Sequence, residues 1–136
     1  MTKEEVIDLI KDAGYGVLAS VSGNMPKARP MMPYLAEDGN LLLAVLNHSR
    51  IIAQIQENPL VEMCFIDRKM CFVRIAGNAS LSQDMEKKQL VWNNIPMLRQ
   101  YFGGPQDPNF VLIEIETGTI EAMTPQQRKP DILTLK

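Results

Sequence analysis

The chain is poor in the residues that build metal sites and staples. Among its 136 residues are two cysteines, Cys64 and Cys71, and one histidine, His48. That set makes neither a zinc site nor a secreted disulfide framework. Both cysteines fall in apolar runs, where small buried hydrophobes are the ordinary reading. No run reaches the ~18 apolar residues of a membrane span. The start, MTKEEVIDLIKD, is acidic and amphipathic and lacks the basic-then-apolar order of a signal peptide. A cytoplasmic protein is the expectation. Excess charge of either sign is also missing: 14 basic and 16 acidic residues leave a net −2, so no broad attraction to nucleic acid or an anionic membrane is expected. Catalytic signatures are equally scarce. His48 has no carboxylate orienter in sequence, no serine or cysteine forms a nucleophile elbow, and Gly103-Gly104 leads into Pro105 rather than a helix.

What is present suits one domain over residues 1–136. Apolar residues make up 46% of the chain, enough for a real core at this length. Thr2 and Glu5 form a capping box for an opening helix over residues 2–12, with Val6, Leu9, Ile10 and Ala13 at helical spacing and Gly14 as the stop. Strands are predicted over 15–22, 27–36, 41–46, 60–66 and 71–79, with a last long one beginning at Phe110. Pro30 and Pro33 interrupt the second strand, which places it at an edge or beside an open side. A short helix follows Asn47 and Ser49, and Asn58-Pro59 breaks it. A further helical region begins near Ser82, and Pro96 bends it. The tail, residues 124–136, is polar and predicted to be loosely held. Six strands with few helices cannot be a doubly wound sheet, so a small closed or nearly closed barrel around one core is expected.

The most informative segment is LNHSRIIAQIQENP, Leu46–Pro59. A strand ends, small polar residues follow, and a helix starts at once. Its first amides lack internal acceptors and, with the helix dipole, favour an anion. Ser49 adds a hydroxyl, and Arg50 a bidentate fork for phosphate oxygens. Arg29, on the second strand, is a second cation if the barrel brings it close. The plainer alternative is that Asn47 and Ser49 only cap a helix whose Arg50 is solvated, and that His48 is a surface residue of the turn. Met31, Met32, Met97 and Trp92 are the large side chains able to face a flat ring, although core packing would also use them.

From about Tyr15 to Met123 the chain resembles the pyridoxamine 5′-phosphate oxidase-like FMN-binding split barrels. The resemblance is carried by GVLASVSGNMPKARPMMPYLAEDGNLLLAVLNHSRIIAQIQENPLVEMCF, KMCFVRIAGNA and WNNIPMLRQYFGGPQDPNFVLIEIE, in that order. It implies a mainly β fold with short helices: a six-stranded antiparallel split β-barrel that forms a homodimer with FMN sites at the subunit interface. It further implies that Arg29, Ser49 and Arg50 clamp the FMN phosphate, with the turn residues Asn47 and His48 among the cofactor-binding residues. Met31 and Met32 would lie along the isoalloxazine edge, and Trp92 would come from the partner. Ile51 and Val45 stand where members often carry a lysine and a threonine, and each removes a phosphate contact. The implied activity is flavin-dependent oxidation or reduction of an unspecified substrate, with a nicotinamide or other small molecule as redox partner. A flavin or deazaflavin carrier or sensor, and an interaction domain without cofactor, are the alternative readings.

Overall fold

The computed structural model describes residues 1–136. It contains α1 (Lys3–Ala13), β1 (Gly16–Ser22), β2 (Met25–Met31), β3 (Tyr34–Leu35), β4 (Leu41–Leu46), α2 (Arg50–Glu57), β5 (Leu60–Ile66), β6 (Phe72–Ser82), α3 (Met85–Asn94), a 3₁₀ turn (Pro96–Gln100), β7 (Phe110–Met123) and β8 (Asp131–Leu133). The opening helix forms as expected. Thr2 Oγ1 accepts from the Glu5 amide at 3.1 Å, and Gly14 ends the helix at a φ of 70°, where an L side chain would be strained.

All pairings are antiparallel, in the order β2-β1-β5-β6-β7-β4-β3, with β8 added to β7. The two end strands of this path, β2 and β3, are separated in sequence only by Met32 and Pro33. Such a link spans at most about 11 Å, so the chain itself draws the two ends of the sheet together. The sheet therefore curls into a barrel whose hydrogen-bonded ladder stops at a seam, and the seam is crossed by covalent chain.

Six strands in a closed or nearly closed barrel were expected. There are eight strands, and the ladder does not close. The predicted 27–36 strand is two strands on opposite sides of the seam. Pro33 has no N–H to continue the ladder, and Pro30 restricts Arg29 before it. β2 is an edge strand, one of the two placements expected from Pro30. Two further boundaries move: β6 runs on to Ser82, and α3 begins only at Met85, where Asp84 caps the Glu86 and Lys87 amides. The tail is not loose. β8 pairs with β7, Asp131 holds the Met1 amino group, and Leu135 is buried in the core.

Strand β4 reads LLLAVL because both of its faces are covered. Leu41, Leu43 and Val45 enter the barrel core with Leu18, Met63, Phe65, Ile75 and Ile113, closed below by Val6, Leu9 and Ile10 of α1. Leu42 faces outward into a second, smaller cluster that the single-core reading missed. There Val91, Ile95, Leu98 and Phe102 pack on Phe110 and Leu112. That outer cluster fixes α3 and the 3₁₀ turn beside the seam.

Candidate functional site

A slot of about 300 Å³ opens at the seam. One wall is the seam itself, Pro30, Met31 and Met32 from β2 and its exit, with Ala44, Val45 and Leu46 from β4. The other is Ile95, Met97, Leu98, Tyr101 and Phe102, with Tyr15 at the rim. Tyr15 donates its hydroxyl to Met97 Sδ at 3.4 Å across the two sides. The walls are almost wholly apolar, and tyrosines are their only titratable side chains. A flat, weakly polar ring suits such a space.

Ser49 lies at the polar end of the slot and is the N-cap of α2. Its backbone is extended, its amide donates to Leu46 O at 2.9 Å, and its hydroxyl makes no capping bond. The Ile52 amide donates to Ser49 O at 3.2 Å, so the Arg50 and Ile51 amides and the Ser49 hydroxyl are the uncommitted donors at this positive helix end. Arg50 follows, exposed and without an ion-pair partner. No acidic residue occupies the first turn of α2 to neutralise it.

Arg29 lies close by. Its Nη1 donates to Leu18 O at 3.2 Å and Ser20 Oγ at 2.9 Å, and its Nη2 donates to Gln54 Oε1 at 2.8 Å. Gln54 is four residues after Arg50, so both arginines address one face of α2, about one helical turn apart. Every acceptor of Arg29 is neutral. Burial lowers its pKa, the direction expected of a half-buried cation with no carboxylate to offset desolvation. An anion at this place would meet two arginines that no protein acid has satisfied.

Asn47 and His48 are exposed in the turn before Ser49, and the Asn47 amide donates to Asn109 O at 3.0 Å. Met31 and Met32 line the slot. Trp92 does not. It packs half-buried against the outer cluster, with the Arg99 guanidinium 4.8 Å from its ring centre. Ile51 and Val45 are both buried in the barrel core, so Ile51 points away from the helix face carrying Arg50 and Gln54. Burial raises the thiol pKa of Cys64 and Cys71, the reverse of nucleophile activation. No group of His, Cys, Asp and Glu residues is arranged to hold a metal ion.

Tyr15, Tyr101 and Phe102, and the Ser20–Gln54 support under Arg29, were not singled out from the sequence. Their signal is long-range, since the slot joins residues more than 80 positions apart.

The model of the family described as "Pyridoxamine 5′-phosphate oxidase like" matches residues 1–128. General stress protein 26 of Bacillus subtilis (strain 168) is 27% identical over 140 residues, covering 98% of this chain and 96% of that protein. The crystal structure of General Stress Protein 26 from Bacillus anthracis str. Sterne is 31% identical, covers 97% of each chain and superposes with a TM-score of 0.83. A pyridoxamine 5′-phosphate oxidase-related, FMN binding protein of Nostoc punctiforme PCC 73102 is 19% identical over 95% of this chain and 86% of its own, with a TM-score of 0.73, a likeness of fold. With the split barrel, its seam and the slot beside α2 in place, the chain belongs to the pyridoxamine 5′-phosphate oxidase-like family of FMN-binding split barrels.

Proposed function

We propose that this protein binds FMN with the ring in the seam slot and the phosphate at the N-terminus of α2, and that it acts as a flavin-dependent oxidoreductase. The observation that carries the reading is Ser49: it lines the apolar slot and also begins the helix whose amides, with Arg50 and Arg29, lack an anionic partner. The apolar part and the anion-binding part of one amphipathic ligand are thereby joined at a single residue. At about 300 Å³ the slot is at the lower end of the size of ligand pockets, so one chain encloses only part of the cofactor. A second copy supplies the rest in this reading, and Trp92, outside the slot of its own chain, belongs to that share.

FMN, when bound, supplies the electron transfer, and the polypeptide supplies placement. Arg50 and Ser49 hold the phosphate, Arg29 adds positive potential along α2, and the backbone at Met31 and Met32 aligns the ring edge. Met97, Leu98 and Phe102 keep water from the slot. No carboxylate, histidine or lysine lines it, so its side chains position and shield. The same absence suits a flavin carrier or sensor without turnover.

The visible spectrum of the purified protein, with identification of the released chromophore, is the direct test. The expected result is a flavin spectrum, or one acquired on incubation with FMN, that bleaches with a nicotinamide or other reductant. A bound flavin that no reductant bleaches at a useful rate would favour the carrier. Protein that stays colourless in excess FMN would overturn the cofactor assignment.

A further inference from the structure

A second cavity, of about 670 Å³, lies between α1 and the β3 side of the seam. Met32 and Ile95 belong to its wall and to the wall of the slot. A molecule lying against them is therefore one layer of side chains from the slot. We infer that this cavity is a binding chamber for a small organic anion with a flat apolar body, held by Lys3 and Lys11.

Charge is unevenly distributed around α1. The helix carries two lysines and four carboxylates: Glu4, Glu5, Asp8 and Asp12. Both lysines line the chamber and none of those carboxylates does. Lys3, Ile7 and Lys11 are spaced i, i+4, i+8 along one side of the helix, with the Cα atoms of the two lysines about 12 Å apart by rise. Neither lysine has a salt-bridge partner. The one acid in the lining is Glu37, itself outside every ion pair, so two cations face one carboxylate.

The floor decides the rest of the ligand. Ile7, Ile10 and Leu135 present aliphatic surface between the lysines, which suits a flat hydrocarbon or aromatic body. A sugar would need many hydrogen-bond partners. The polar neutral side chains of the wall are Tyr34, with a single hydroxyl, and Asn94, whose amide group already donates to Leu90 O at 2.8 Å. An organic cation would meet net positive charge. That leaves an apolar acid, its anionic group at the lysine rim and its body against Ile7 and Met32. The link between this chamber and the chemistry of the slot rests on the flavin reading; the binding of the anion does not.

Two probes of equal shape test it: 2-naphthoate and the neutral 2-naphthalenemethanol, titrated while the methyl signals of Ile7, Ile10, Met32 and Ile95 are followed by NMR. Naphthoate should shift those four residues and bind about ten-fold or more tightly than the alcohol. The double variant Lys3→Gln, Lys11→Gln should lose that margin while its methyl spectrum stays that of the native fold, both lysines being exposed. Ile7→Trp, which fills the floor, should weaken both probes. Equal affinity for the two probes, an undiminished margin in the double variant, or shifts confined to other methyls would overturn the chamber. FMN titrations on the same samples separate the two readings. Naphthoate binding without FMN binding removes the flavin and leaves the chamber; FMN binding without naphthoate binding does the reverse.

Discussion

Arg29 and Gln54 are joined by a 2.8 Å hydrogen bond that ties strand β2 to helix α2, and Ser20 Oγ donates to the same Gln54 oxygen at 2.6 Å. One amide oxygen thus serves a guanidinium and a buried hydroxyl. Gln54→Leu keeps the bulk and removes the acceptor, leaving both donors without it. A loss of about 1–3 kcal/mol is expected, since a hydrogen bond to a charged group is broken and a buried donor is orphaned. Urea unfolding should show a lower midpoint at an unchanged slope. An unchanged midpoint would mean that water replaces Gln54 without cost.

Arg50 differs from Arg29 because nothing in the protein occupies it. Arg50→Ala should weaken FMN by about ten- to a hundred-fold, roughly 1.5–3 kcal/mol, and leave riboflavin nearly unchanged. Arg50→Lys should recover part of the loss, since a point charge replaces the fork. Melting of the ligand-free variants should not fall, because a cation in the first turn opposes the helix dipole. FMN affinity equal to wild type in Arg50→Ala would move the phosphate elsewhere.

Association into a homodimer is the third expectation. Val17 of β1 and Leu60, Cys64 and Ile66 of β5 point to one outward face, which they share with Glu62 and its ion-pair partner Arg74; Val17, Leu60 and Ile66 are 47%, 61% and 53% exposed there. A face of this kind is ordinarily covered. Sedimentation should give twice the chain mass of 15.3 kDa at micromolar concentration. A monomer would remove the second half of the FMN site with it.

Local signals carried much of this. The Thr2–Glu5 box, Gly14, the prolines of β2 and the Ser49–Arg50 helix start could each be read in a few residues, because caps, turns and missing N–H groups act over that distance. What escaped depends on partners far away in sequence. β8 exists because Asp131–Leu133 finds an open edge on β7, and no propensity within a polar tail announces that. The seam was hidden for a related reason: Met31 and Tyr34 both read as strand, and only the full pairing order shows that they belong to opposite ends of the sheet. Tyr15 meets Met97 across 82 positions, beyond any periodicity.

Gly77 provides a test of the fold apart from any ligand. It sits at an irregularity in the β6–β7 register, where a Cβ would stand 2.6 Å from Ile115 Cγ2 and 2.7 Å from Glu116 O. Backbone and a buried core residue cannot both give way cheaply. Gly77→Ala should cost about 1–3 kcal/mol, read as a lower urea midpoint. A neutral result would show that the long β6–β7 ladder slides to make room.

One carboxylate joins backbone bonds such as Asp107 N–H to Gly104 O in holding the loop between the 3₁₀ turn and β7, and an acid limit for the slot is expected from it. Asp107 Oδ2 accepts from the Gly103 amide at 2.8 Å, and Oδ1 accepts from the Asn109 amide at 2.9 Å. These bonds favour the charged form and lower the Asp107 pKa, with the Gly103 bond first and the Asn109 bond second. A carboxylate with a depressed folded pKa stabilises the fold fully above its unfolded value of about 3.9, and that contribution is lost as pH falls through the lower folded value. The Gly103 and Asn109 amides should therefore keep their hydrogen-exchange protection from neutrality down to about pH 4 and lose it below. Tyr101 and Phe102 immediately precede this loop and line the slot, so FMN release should accompany the loosening. Asp107→Asn removes the titration: with one carbonyl oxygen where there were two acceptors, one of the two amides should be unprotected already at neutral pH, and the step below pH 4 at these two amides should vanish. Persistence of that step in Asp107→Asn would assign the acid transition to another carboxylate.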